Sequence, residues 1–204
     1  MANVPLPANF AFTSITKFAL QRATNIIRSR YTGADQVISY PFAVWYLEGS
    51  LVEYDGANAG YIRSFLAQLE GAKNTFRLPV PGYTTPSTGY ALNTALVSVA
   101  MASRASSVTV NTLTPNVPIL AEGDYFMLND ELKIATASVS SNGSGVATIA
   151  FKPPARKSGA VGLNVYFQNP TIYMRAQSDD VATWGINPPN RHPIKFKAVE
   201  AITL

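Results

Sequence analysis

The chain lacks cysteine entirely and has a single histidine, few charges and no long apolar run. Without cysteine there is no disulfide framework and no thiolate metal site. That absence fits a protein assembled inside a cell, where disulfides are rare. The one histidine, His192 in Asn-Arg-His-Pro, has no second imidazole to share a metal or a proton relay. In so proline-rich a loop it reads as a solvated or hydrogen-bonded loop residue. Charged residues make up 14% of the 204 positions against 47% hydrophobic. That balance argues against disorder and for a surface partly covered by other subunits. Sixteen basic and twelve acidic residues give a net charge of +4, too mild and too scattered for a nucleic-acid partner. No apolar run reaches the ~18 residues of a membrane helix, so no membrane partner is expected. The start, MANVPLPANFAF, has no basic region ahead of an apolar block and does not read as a signal peptide. Its prolines suggest an extended arm that could add to a neighbour's sheet.

What the chain does have is a packing unit between Tyr40 and Pro81. Val44, Tyr46 and the Leu51-Val52 pair sit among aromatic and β-branched residues, a strand composition. Asp55 or Asn58 can cap a helix start, because a short side-chain oxygen satisfies an orphan backbone N–H. Ile62, Phe65, Leu66 and Leu69 recur at three- and four-residue steps and form one apolar stripe. Gly71 follows where a left-handed C-terminal residue is needed, and Thr75 to Leu78 reads as a short strand closed by Pro79 and Pro81. Such a helix is stable only when packed, so it is expected against a sheet.

Further along, Val97 to Val99, Ser107 to Thr112, Asp124 to Leu128, Glu131 to Ile134 and Val146 to Phe151 are alternating or β-branched runs. Asn129-Asp130, Ser141 to Gly145 and Lys152-Pro153-Pro154 punctuate them as turns. Short strands so spaced predict a small barrel or sandwich. Asn142-Gly143, between two strand-like runs, predicts a hairpin. Thr171 to Ala176 and Ile194 to Leu204 return as closing strands. The expected fold is mainly β with one short amphipathic helix. A β-sandwich-like base, residues 1–93 and 169–204, is interrupted by a small β-barrel or sandwich insert, residues 94–168.

Several residues invite a chemical role and are better explained without one. Glu48 and Glu53 flank Gly49-Ser50, read as a turn, and could pair as glycosidase carboxylates, yet a hairpin position makes solvated charges the better reading. Glu122, Asp124, Asp130 and Glu131 could ring a calcium ion, but the spacing of a calcium loop with its central glycine is missing, so a charged loop rim is expected. Ser141 to Gly145 lacks the lysine of a phosphate loop and precedes a strand. Arg22, Arg28, Arg30, Arg63 and Arg77 either cross subunit interfaces or are solvated. No catalytic, cofactor-binding or metal-binding residue is expected, and no cofactor.

The order of these motifs resembles the distal tail and tail-tip hub proteins of long-tailed bacteriophages. The resemblance rests on Trp45, then Phe65, Leu66, Leu69 and Gly71, then Asn74, Phe76, Leu78 and Pro81. It continues in Ala121 to Gly159, with a Gly-Asp-Tyr start and a Pro-Pro-x-Arg end, and in the closing strand Ile194 to Ala201. Thr84 to Asn116 matches only loosely. The resemblance implies a non-enzymatic virion protein, made in the host cytoplasm and built into the tail or baseplate. It would form a homo-oligomeric ring, commonly six subunits, joining tail tube to hub and receptor-binding parts. A carbohydrate-binding β-module, with the insert as the sugar site, is the alternative from another class. A hydrolase would need two convergent carboxylates, and no convincing pair is present.

Overall fold

The computed structural model describes residues 2–52, 56–179 and 194–202. In chain order the elements are β1 (Asn3–Val4), β2 (Phe12–Arg28), β3 (Asp35–Leu51), α1 (Gly56–Leu69), β4 (Thr75–Pro79), β5 (Thr94–Val97), β6 (Ser107–Asn111), β7 (Pro118–Leu120), β8 (Tyr125–Leu128), β9 (Glu131–Ala135), β10 (Val139–Ser140), β11 (Ala147–Lys152), β12 (Asn164–Tyr166), β13 (Thr171–Ala176) and β14 (Lys195–Glu200). The fold is mainly β, with one α-helix among the described residues, as expected. A six-stranded sheet has the order β1-β4-β13-β14-β3-β2, and β11-β6-β5-β12-β8-β9 close into a barrel. The chain divides into two compact units, Met1–Thr75 with Arg175–Glu200 and Phe76–Met174 with Ala201–Leu204. The barrel strands all fall between Thr94 and Tyr166.

In the first unit the helical stripe is buried: Ile62, Phe65, Leu66 and Leu69, joined by Ala59. The Phe65 ring meets Phe10 edge-on at 5.5 Å, and Phe10 in turn meets Phe12 of β2 and Phe196 of β14 at 5.3 and 6.1 Å. Gly71 has φ +66°, the left-handed value the sequence asked for, and a Cβ there would strike Asp179. The Asp179 carboxylate accepts the Ala72 N–H at 3.0 Å. The helix start differs from expectation. Asn58 lies inside α1 rather than before it, and its Oδ1 accepts from Asn9 at 3.2 Å; Asp55 lies outside the described residues. The N-terminal arm also differs. Asn3–Val4 pairs at the edge of this chain's own sheet. Ala2 N–H donates to Asn74 Oδ1 at 3.1 Å, and Ala2 O accepts the Thr75 N–H at 2.9 Å. Asn74 is buried for this reason, its amide nitrogen donating to Gln68 O.

The Gly49-Ser50 turn is not a turn. β3 runs on to Leu51, paired with β2 from Asp35 to Ser39 and from Ala43 to Leu51. Gly49 is needed because β2 comes so close: a Cβ there would lie 2.7 Å from Ser14 O and 3.0 Å from the Phe12 ring. On either side of this contact β2 carries an extra residue, Thr13 and Thr16, opposite none on β3. Their hydroxyls donate to Leu51 O and Glu48 O at 3.2 and 3.1 Å, replacing the ladder bonds that the bulges remove.

The second unit is built on the barrel, whose interior is filled by Phe126, Phe151, Ile149, Val110, Val165 and Phe167. Phe126 and Phe151 cross edge to face at 5.9 Å. Asn142-Gly143 does not make the predicted hairpin: β10 pairs with β7, while β11 pairs with β6 and β9. The Asn142 side chain takes the Ser144 and Val146 N–H groups at 2.9 and 3.0 Å and closes a local loop instead. The two-residue hairpin lies at Asn129-Asp130, between β8 and β9, with φ of 52° and 61°.

Candidate assembly surface

The first unit carries a long hairpin, β2–β3. Each strand has 17 residues, about 55 Å at ~3.3 Å per residue. The half near the unit's core is anchored. Phe18 stacks on Trp45 at 5.2 Å, and Trp45, Leu47 and Leu51 are buried. The distal half, Thr24–Arg28 against Asp35–Ile38, is exposed at every described side chain. Its turn is closed locally. Ser29 N–H donates to Ala34 O at 2.9 Å and Gly33 N–H to Ser29 O at 3.0 Å, with Gly33 at φ +70°. Arg28 and Asp35 face each other across the strands as a two-pronged pair at 2.8 and 3.0 Å. The hydrogen bond raises the Arg28 pKa and lowers that of Asp35.

Each face of the distal half carries two exposed aliphatic residues among polar ones. Ile26 lies directly opposite Val37, so the two share one face, each 61% exposed. Ile27 and Ile38 share the other, at 49% and 37%, because Ile38 lies opposite Asn25 and successive side chains alternate. Among the described residues no further strand pairs with either backbone edge there. β2 ends the sheet order, and β14 pairs only with Tyr46–Ser50 of β3. Tyr31 at the tip is fully exposed. A two-stranded ribbon is marginal in water on its own, and this one exposes aliphatic groups on both sides with no described strand on either edge.

The residues singled out from sequence fall elsewhere. Glu48 is bound to Lys197 at 2.9 Å, which raises the Lys197 pKa; His192 and Glu53 lie outside the described residues. The carboxylates expected on a charged rim separate into two kinds. Glu122 and Asp130 are exposed, but Asp124 and Glu131 are buried. Asp124 accepts the Ser87 N–H and hydroxyl at 3.1 and 2.5 Å and the Ala121 N–H at 2.8 Å. Glu131 accepts from the fully buried Lys133 ammonium at 2.5 Å and from the Arg156 and Lys157 N–H groups at 3.1 and 3.2 Å. Both hold loops that a solvated carboxylate could not, which is why the rim reading fails for them. Of the arginines, Arg28 and Arg77 pair with Asp35 and Asp130 of the same chain, and Arg63 donates to Ala59 O. Among the described residues no three or more His, Asp or Glu side chains converge as a metal cluster, and no helix is long and apolar enough to cross a membrane.

Sequence reasoning missed the distal hairpin. Its signal is weak: Thr-Asn-Ile-Ile-Arg and Asp-Gln-Val-Ile-Ser flank the turn Ser29 to Ala34, and neither run alternates cleanly because neither has an inside. No protein-family model matches the chain, and a search of curated proteins finds no match.

Proposed function

We propose that this chain is a structural subunit of a bacteriophage tail, a distal tail or tail-tip hub component. It closes into a ring of identical copies through the β2–β3 hairpin. The observation that carries this reading is the distal hairpin, with exposed aliphatic pairs on both faces and, among the described residues, no strand on either edge. Another strand on each side would pair both edges, and a second copy of the same hairpin supplies matching length, alternation and aliphatic pairs. Ile26, Ile27, Val37 and Ile38 together keep about two aliphatic side chains' worth of surface in water. Covering it contributes roughly 3–6 kcal/mol per subunit. One such contact barely offsets the ~4–15 kcal/mol lost on association. Closure into a ring gives every subunit two contacts and new backbone ladders, which is the arrangement expected to hold. The motif order from Trp45 to Ala201 supports the tail setting, where such a ring of about six copies would join tail tube to hub.

Native mass spectrometry and light scattering of the full chain test the proposal. The unaltered protein is expected as one closed oligomer. The double variant Ile26→Asp with Val37→Asp is expected as a folded monomer, since it places like charges directly opposite each other on an exposed ribbon. A chain that stays monomeric at micromolar concentration, or an oligomer that the double variant leaves intact, overturns it.

A further inference from the structure

In the second unit, Tyr166 at the end of β12, Gln168 beyond it, Asn93 ahead of β5, Arg77 on β4 and Asp130 in the β8–β9 turn line one polar cleft of about 450 Å³. That size is ordinary for a small-molecule site. Its charged group is fixed in place. Arg77 donates from Nε to Thr171 Oγ1 at 2.7 Å and from Nη2 to Asp130 Oδ1 at 3.3 Å, and its guanidinium lies over the Tyr173 ring at 5.0 Å. Gln168 is fixed too: its backbone N–H donates to Asn93 Oδ1 at 3.2 Å, and its Nε2 to Ala91 O at 2.6 Å.

These bonds use only part of what the side chains offer. Among the described residues, the Asn93 amide NH₂, the Gln168 Oε1 and the Tyr166 hydroxyl have no protein partner. The Asp130 carboxylate is 65% exposed and keeps open lone pairs beside Arg77. The cleft therefore presents donors and acceptors in mixture, with no net charge from its one ion pair, beside an aromatic ring. An anion such as phosphate asks for donors alone and meets the Asp130 carboxylate. An apolar ligand leaves the amides unanswered. A sugar hydroxyl both donates and accepts, adjacent hydroxyls match a carboxylate or guanidinium fork, and the C–H face of a pyranose packs on a tyrosine ring. We propose that this cleft binds a neutral saccharide, with Tyr166 against the ring and Asn93, Gln168 and the Arg77–Asp130 pair on its hydroxyls. The site does not depend on ring assembly.

The test is saturation-transfer NMR on the full chain with maltose, lactose and diacetylchitobiose as probes, with subunit mass measured on the same samples. Transfer to ring C–H protons of at least one probe is expected. Tyr166→Ala should weaken that binding about tenfold, the loss of one aromatic contact. Asn93 is exposed, so Asn93→Ala keeps the test available if Tyr166→Ala fails to fold. No transfer from any of the three, or an affinity that the folded variants leave unchanged, overturns the proposal. A monomer that binds sugar removes the ring reading alone, and a ring that does not bind removes the saccharide site alone.

Discussion

Replacing Glu131 by alanine should cost the protein far more than replacing its partner Lys133 by methionine. Lys133 is fully buried, and its ammonium donates to Glu131 Oε2 at 2.5 Å and to Pro154 O at 3.1 Å, with the Phe151 ring 5.5 Å away. Glu131→Ala takes the carboxylate from a buried ammonium and strips the Arg156 and Lys157 N–H groups of their acceptor. Breaking a buried pair from one side costs roughly 3–5 kcal/mol. Lys133→Met leaves Glu131 with both backbone donors and with the Arg156 guanidinium at 3.9 Å, while the methionine keeps the aliphatic volume against Phe151. That change should cost about 1–2 kcal/mol. The combination Glu131→Leu with Lys133→Met should recover part of the Glu131→Ala loss, because an apolar pair carries no desolvation penalty. Urea unfolding followed by circular dichroism measures all three variants. Equal costs for the two single changes, or a Glu131→Ala cost below about 1 kcal/mol, would refute the claim that this carboxylate organises the loop after β11.

Phe65→Ala should destabilise the protein by roughly 3–5 kcal/mol in the same assay, since Phe65 is 2% exposed and meets Phe10; a change under about 1 kcal/mol would mean the ring is not core. Tyr83 is held protonated above the ordinary phenol range, first by burial and then by the nearby Asp124 carboxylate. The unfolded chain loses that proton first as pH rises past about 10, so stability should fall from there upward. Tyr83→Phe should flatten this alkaline slope without weakening the protein at neutral pH, because the hydroxyl is enclosed with no hydrogen-bond partner of good geometry. Denaturation midpoints measured from neutral to alkaline pH decide it. At the hairpin tip, Asp35 has a lowered pKa through its hydrogen bond to Arg28, so its support is complete above about pH 4 and is lost as pH falls through the lowered value. An NMR titration should show the Asp35 midpoint returning to about 4 in Arg28→Met.

The sequence is most readable where one side of an element is buried. The stripe Ile62, Phe65, Leu66 and Leu69 and the alternating strand Ala147–Lys152 carry their periodicity openly because a core selects it, and Tyr125–Leu128 is a short apolar run for the same reason. The distal hairpin has no buried side within the chain, so its pattern answers to something outside it and cannot be told from a loop. Gly49 misled for a related reason: glycine before serine signals a turn, whereas here it admits a neighbouring strand. Asn142-Gly143 failed because the asparagine side chain satisfied the loop's own N–H groups, leaving no need for a two-residue turn. The buried roles of Asp124 and Glu131 were invisible because they depend on loops distant in sequence, at Ser87 and at Arg156-Lys157. The polar cleft has the same character, gathering Arg77, Asn93, Asp130 and Tyr166 from four separate places.

The bulges at Thr13 and Thr16 determine which length changes the hairpin can accept. Each advances β2 by one residue against β3, and the extra residues of β3 opposite Ala23 take up both steps, so that Arg28 still meets Asp35. Deleting Thr13 alone would leave Phe12 opposite Leu51 and Ser14 opposite Ser50 as consecutive pairs, so the pairing out to Arg28 and Asp35 should survive and only the bulge and the Thr13 hydroxyl bond to Leu51 O would go. The same holds for Thr16, which lies between the Ile15–Gly49 and Lys17–Glu48 pairs and whose hydroxyl bonds Glu48 O. The hairpin should therefore accept loss of either bulge residue without loss of register, and the Ser29 to Ala34 turn, which lies beyond the last pairing, is likewise free to vary in length.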